Sequence, residues 1–277
     1  MDDTSGAMAP IQDLPSALDH YEAIEQRLGD KRLAVFLDYD GTLTPIVARP
    51  ELAVLSDHMR EVVTDLAGLC TVGIISGRDR HDVEQLVGID SLVYAGSHGF
   101  DIGGPDGLAV QHDHGTSFLP VMQTLADHVE ARLGDVEGSL VERKKYSIAV
   151  HYRLVADDEV AVVEAAVDET LAEPEFANIR KTLGKKVFDL QPAIEWHKGK
   201  AVEWVMHALD LDHDDVLPMF FGDDLTDEDA FAALAANGLG VVVVSDSARP
   251  SGADYGVPEV PDVGLLLERL AATLRSR

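Results

Sequence analysis

The stretch Leu33-Ala34-Val35-Phe36-Leu37-Asp38-Tyr39-Asp40-Gly41-Thr42-Leu43-Thr44 passes without a break from apolar residues into an acidic turn. An uninterrupted apolar run this short has no solvent face, so it reads as a strand buried on both sides, the kind found in parallel sheets. In open α/β sheets ligands bind beyond the carboxyl ends of such strands. Asp38 is thus expected at a strand tip, where a carboxylate can serve as nucleophile and metal ligand. Asp40 follows on a turn that Gly41 permits, placed to reach a leaving-group oxygen as general acid and later to activate water. A carboxylate that attacks phosphorus divides one difficult displacement into two easier ones.

Outward from this stretch, strands and helices alternate. Asp57 to Leu69 has helical apolar spacing, Val72 to Ser76 reads as a strand, Asp79 to Val87 as a helix and Leu92 to Ala95 as a strand. Towards the C-terminus, helices over Lys198 to Leu209, Asp227 to Ala236 and Asp262 to Leu274 alternate with strands over Val216 to Phe221 and Leu239 to Val244. Repeated β–α units predict an α/β fold, a Rossmann-like parallel sheet with helices on both faces. The middle departs from this pattern. Helices over 117–133 and 157–171 are each followed by two short strands, Gly138 to Glu142 with Tyr146 to Tyr152, and Ala177 to Lys181 with Lys186 to Leu190. This αββαββ segment predicts an α+β cap domain over 113–193, inserted in a catalytic core made of 1–112 and 194–277.

The chain has 277 residues, and its 46% hydrophobic content is enough to fill a core. Its single cysteine, Cys70, allows no intrachain disulfide. No apolar run approaches a bilayer span, and the first ten residues have no apolar signal core, so a cytoplasmic protein is expected. A net charge of −28 tells against nucleic acid or an anionic membrane as partner. It also repels phosphate esters, but ten of the 22 Lys and Arg residues lie between 140 and 200, where an even spread would put about five. Such a local patch can focus an anion despite an acidic exterior.

A second acidic cluster, Gly222-Asp223-Asp224-Leu225-Thr226-Asp227-Glu228-Asp229, also follows an apolar strand. Thr226 and the acids after it suit a helix N-terminus, with Thr226 as cap. Asp223 and Asp224 lie upstream of that need, at the strand tip, where oxygen ligands for Mg²⁺ would converge with Asp38. A diphosphate-binding DDxxD motif belongs to all-helical enzymes and does not fit a cluster that follows a strand. Ser76-Gly77-Arg78 ends the second strand, so the Ser76 hydroxyl and the Gly77 amide can approach a phosphoryl oxygen. Lys198 opens the helix on return to the core, where an ammonium can neutralise aspartates and phosphoryl charge.

In this order the segments DYDGT, SGR, KG and GDDLTDED resemble the four motifs of haloacid-dehalogenase-type phosphatases. Within that superfamily the chain is most similar to the trehalose-6-phosphate phosphatase family. The resemblance is carried by LDYDGTLTPI (37–46), GSHG (96–99), ERKKYS (142–147), HYR (151–153), EWHKGKA (195–201) and GDDLTDEDAF (222–231). It implies Asp38 as nucleophile, Asp40 as acid/base, and Ser76 with Lys198 on the phosphoryl group. It implies Mg²⁺ held by Asp38, the Asp40 carbonyl and Asp223, with Asp224 and Asp227 nearby. Gly77, Arg78 and His98 belong with substrate binding by the same resemblance, and so do Glu142, Lys144 and Arg153 of the cap with Glu195 at the hinge. The expected substrate is a small sugar phosphate, trehalose 6-phosphate first. Asp189 and Gln191 stand where the family usually has Glu and Arg, and His197 where it usually has an acid, so a related disaccharide phosphate stays open. A phosphotransferase or phosphomutase is the main alternative chemistry; the intact Asp38, Asp40, Asp223 and Lys198 argue against an inactive sensor module.

Three other segments carry less. His112-Asp113-His114 lacks further ligands at useful spacing and reads as a solvated loop. Leu183-Gly184-Lys185-Lys186 lacks P-loop glycine spacing and reads as a hairpin turn. Trp196 and Trp204 read as packing residues at a helix edge.

Overall fold

The computed structural model describes residues 8–111, 117–194, 196–244 and 249–277. Among them the strands are β1 (Ala9–Pro10), β2 (Arg32–Leu37), β3 (Thr71–Ile75), β4 (Val93–Gly96), β5 (Asp101–Gly103), β6 (Ala109–Gln111), β7 (Leu140–Arg143), β8 (Ile148–His151), β9 (Ile179–Gly184), β10 (Val187–Pro192), β11 (Val216–Gly222), β12 (Leu239–Val243), β13 (Pro250–Ser251) and β14 (Tyr255–Val257). The helices are α1 (Tyr21–Leu28), α2 (Asp57–Ala67), α3 (Arg80–Val87), α4 (Leu119–Leu133), α5 (Val160–Leu171), α6 (Lys198–Ala208), α7 (Glu228–Leu234) and α8 (Val260–Arg275). The chain divides into two compact units, one made of Met1–Ala109 with His197–Arg277 and the other of Val110–Trp196.

The first unit is built on a sheet of order β14-β12-β11-β2-β3-β4-β5-β6. Neighbours run parallel from β14 to β4, and β5 turns back antiparallel on β4. The alternation of β2 and β11 explains their unbroken apolar sequences. Val35, Leu37, Met219 and Phe221 share a cluster with Met59 and Val63 of α2 and Leu266 and Leu270 of α8. On the opposite face Phe220 meets Phe231 of α7 edge to face, with ring centroids 5.7 Å apart. Burial on both faces is what a parallel strand of this composition requires. Ser56 caps α2 by accepting a hydrogen bond from the Met59 amide at 3.2 Å. No helix among the described residues is long and apolar enough to cross a membrane.

In the second unit four antiparallel strands in the order β7-β8-β10-β9 are backed by α4 and α5, so the chain order is α-β-β twice. Ile148, Val150, Phe188 and Leu190 pack on Leu125 and Val129 of α4 and Val163 and Val167 of α5. Charged residues bound the same face: Arg143 pairs with Asp127 and Glu130 of α4, and Lys181 with Glu164 and Asp168 of α5. The register aligns Glu142, Ala149, Asp189 and Thr182 in one row across the strands, on the face turned away from those helices.

Candidate active site

Asp38 follows the last residue of β2 and donates its amide to the Phe221 carbonyl at 2.9 Å, so it sits where the two central strands end together. Gly41 adopts φ +87°, and a Cβ there would lie 2.1 Å from Asp223 Oδ2. Only glycine lets the acidic turn after β2 approach the turn after β11 this closely. Lys198, the first residue of α6, reaches both turns. Its Nζ lies 2.8 Å from Asp38 Oδ1 and 2.6 Å from Asp227 Oδ1, and the residue is 3% exposed. The second oxygen of Asp227 accepts the amides of Asp223 at 2.8 Å and Asp224 at 2.9 Å.

The electrostatics follow from burial. Desolvation pushes the Asp38 carboxyl well above the usual carboxylate range; Lys198 opposes that shift, and the charges of Asp227 and Asp223 add to it. Burial alone would lower the Lys198 ammonium, but the charges of Asp227 and Asp38 and hydrogen bonds to both outweigh it and hold the lysine protonated. Asp38, Asp223 and Asp227 each offer an oxygen within 4.8 Å of the others. Three buried carboxylates gather here around the Lys198 ammonium. A hard dication such as Mg²⁺ fits this all-oxygen donor set and its charge.

Asp224 and Thr226 behave differently from expectation. The Asp224 side chain accepts the Leu225 amide at 2.7 Å and forms a reciprocal capping box with Asp227. Asp224 is thus the helix cap in place of Thr226, and its carboxylate stands outside the buried trio of Asp38, Asp223 and Asp227. Asp40 is also not one of the trio. Arg78 Nε and Nη2 contact its two oxygens at 2.7 and 2.8 Å, and the Asp40 side chain remains 37% exposed.

Ser76 and Gly77 end β3 beside this site. The Ser76 hydroxyl oxygen accepts the Arg78 amide at 3.2 Å, which leaves its own hydrogen to donate. Arg78, expected at the substrate, is committed elsewhere: besides Asp40 it contacts Asp82 at 3.1 Å and the Pro50 carbonyl at 2.8 Å, and it lies 5.2 Å over the Tyr39 ring. His98 lies in the turn after β4 with its ring against Gly77.

In the second unit, Glu142 accepts a contact from His151 at 2.8 Å, and Lys144 Nζ stands 3.9 Å from Asp189 Oδ1. Arg153 donates to the Lys185 carbonyl at the β9–β10 turn, which ties it to the hairpin. Gln191 is buried and donates to Thr182 Oγ1 at 3.3 Å. His197, in the first unit, lies 3.7 Å from Asp229. Glu195 and His112-Asp113-His114 lie outside the described residues.

Two further participants were not legible as site residues. Asp82, in the first turn of α3, stands four residues after Arg78, which precedes that helix, a spacing that could have signalled the pair. Arg249 donates to the Asp223 carbonyl at 3.2 Å and pairs with Glu228; nothing local in the sequence marks it.

The sequence pattern of the trehalose-phosphatase family matches residues 36–261, from β2 into α8 and so across every group described above. The chain belongs to the trehalose-phosphatase family. It is 38% identical over 266 residues to a probable trehalose-phosphate phosphatase D of Arabidopsis thaliana, covering 92% of this chain and 72% of that protein. It is 44% identical over 238 residues to an uncharacterized glycosyl hydrolase of Mycobacterium tuberculosis, covering 85% of this chain but only 18% of that protein. Among solved structures, the C-terminal domain of the Candida albicans trehalose-6-phosphate phosphatase superposes with a TM-score of 0.78 at 23% identity, covering 94% of this chain and 98% of that one. A haloacid dehalogenase-like hydrolase from Bacteroides thetaiotaomicron, at a TM-score of 0.59 and 14% identity, shares the fold. The trehalose-phosphatase family is thus represented here on the haloacid-dehalogenase type of α/β core.

Proposed function

We propose that this chain is a Mg²⁺-dependent phosphatase that hydrolyses a sugar phosphate, trehalose 6-phosphate first, through an aspartyl phosphate on Asp38. The observation that carries this reading is the buried Asp38 carboxylate held by Lys198 beside Asp223 and Asp227. Asp38 attacks phosphorus, the bond from phosphorus to the sugar oxygen breaks, and Asp40 gives that oxygen a proton. Asp40, now ionised, takes a proton from water as the water oxygen attacks the same phosphorus; Asp38 leaves as carboxylate and inorganic phosphate departs. Ser76 and the Gly77 amide donate to phosphoryl oxygens, and Lys198 offsets the negative charge gathered at Asp38. Mg²⁺ bound by Asp38, Asp223 and the Asp40 carbonyl would supply the remaining positive charge to the phosphoryl group.

The inserted unit acts in this reading as a cap that selects the sugar, with Glu142 and Lys144 as charged partners for hydroxyl groups; the family resemblance adds Glu195. Asp189, 3.9 Å from Lys144, bears on that choice because it replaces the family's usual glutamate. A cytoplasmic enzyme without nucleic-acid or membrane partners accords with the acidic composition; a monomer is compatible with this reading, which leaves the oligomeric state open. The test is a panel of sugar phosphates scored for phosphate release with Mg²⁺ and with chelator, alongside acid-quench trapping of phosphoenzyme. Release from trehalose 6-phosphate well above glucose 6-phosphate supports the reading. Transfer of phosphate to a second sugar without release would replace it with a mutase.

A further inference from the structure

The turn after β4 is strained where it meets the end of β3. Ser97 and His98 both take positive φ, 51° and 57°, a region that non-glycine residues seldom enter, and Gly99 follows at 97°. Such conformations cost free energy and persist only where the surroundings hold them. Here the surroundings are the Ser76-Gly77-Arg78 segment. The His98 amide donates to the Ser76 carbonyl at 2.9 Å, the Ser97 amide to the Arg78 carbonyl at 2.6 Å, and the Ser97 hydroxyl to Asp79 Oδ1 at 2.9 Å. The His98 ring, 7% exposed, lies flush on Gly77: a Cβ there would stand 2.8 Å from Cε1 and 2.9 Å from Nε2. Real Cβ atoms do not come that close, so the ring fills the place of a side chain at residue 77.

We propose that the 96–99 turn is a template for the phosphate-binding segment and that His98 is its positioning residue, with its imidazole fixing the Ser76 hydroxyl and the Gly77 amide in their anion-facing arrangement. This rests on the phosphatase reading and assigns His98 to the phosphoryl end of the substrate, in place of the sugar end. The two roles separate cleanly. A histidine that touched the sugar would matter only for sugar phosphates. A histidine that shapes the phosphate segment matters equally for every phosphate ester, and for inorganic phosphate as a competitive inhibitor.

His98→Asn is the informative variant, because asparagine tolerates the left-handed backbone while removing the ring. Its kcat/KM should fall about tenfold or more on trehalose 6-phosphate and p-nitrophenyl phosphate alike, with inorganic phosphate inhibiting about tenfold more weakly. Gly77→Ala should be severe in the wild-type background and nearly silent once His98→Gly has emptied the space. Loss confined to the sugar phosphate, with phosphate inhibition unchanged, would overturn the proposal. So would a Gly77→Ala penalty of the same size in both backgrounds. A wild type that neither releases nor binds phosphate would instead remove the phosphatase reading beneath it.

Discussion

Arg78 holds both carboxylate oxygens of Asp40 in a two-pronged contact, and Asp82 and the Pro50 carbonyl occupy the rest of its reach. As the acid of the proposed mechanism, Asp40 would have to free at least one oxygen from Arg78 to deliver a proton. In that mechanism the arginine would hold Asp40 between turnovers.

Arg78→Lys loses the two-pronged geometry while keeping the charge. We expect about a tenfold loss or more on trehalose 6-phosphate, whose leaving oxygen needs a proton, and a smaller loss on p-nitrophenyl phosphate, whose leaving group does not. Asp40→Asn should separate the two substrates further, by about 10²–10⁴-fold. Asp38→Asn should abolish both activities. Steady-state kinetics on the two esters measure all three variants, and equal losses for Asp40→Asn would count against its acid/base role.

The convergent oxygens of Asp38, Asp223 and Asp227 predict a metal response readable without turnover. Mg²⁺ at about a hundredfold excess over its dissociation constant should stabilise the wild type by about 2.7 kcal/mol, a rise of several degrees in thermal melting. Asp223→Asn should blunt that rise and, with chelator present, melt above the wild type because one repelling charge is gone. A wild type indifferent to Mg²⁺ would remove the metal from the mechanism.

Lys198 is the one ammonium in contact with Asp38 and Asp227 among the described residues. Lys198→Met should cost about 3–5 kcal/mol without metal, because two buried carboxylates lose their counter-charge. Urea denaturation in chelator measures this. A loss of activity with unchanged stability would assign the lysine to catalysis alone.

Lys144→Ala should lower kcat/KM for trehalose 6-phosphate by about tenfold or more and leave p-nitrophenyl phosphate nearly untouched. A parallel loss on both would make Lys144 a residue of folding. Asp189→Glu extends a carboxylate close to Lys144 and tests whether this departure from the family retunes the sugar preference.

The sheet was legible because β2, β3, β11 and β12 are continuous apolar runs, and the αββ doubling was legible because its helices and hairpins keep their periods. The shorter elements were not. β5 and β14 have three residues each, too few for a period to show, and α1 buries only Ile24 and Leu28. At the site, acids after strand ends announced themselves, but which of them face one another is a matter of turn geometry. Asp224 and Asp227 look alike in sequence. One, half-buried, caps the short turn that leads into α7, while the other, fully buried, carries Lys198 and two backbone amides.

The central position of β2 has a consequence for biosynthesis. β3 covers one edge of β2 soon after it is made, but the other edge pairs with β11, which is translated only after the whole inserted unit. At roughly 5–20 residues per second, this apolar central strand leaves the ribosome about ten to forty seconds before its second partner. An open apolar strand edge is a template for pairing with another chain. Expression at high temperature or high synthesis rate should therefore drive this protein into inclusion bodies. Co-produced trigger-type chaperones, which shield nascent apolar segments, should raise the soluble yield more than stabilising ligands added after lysis.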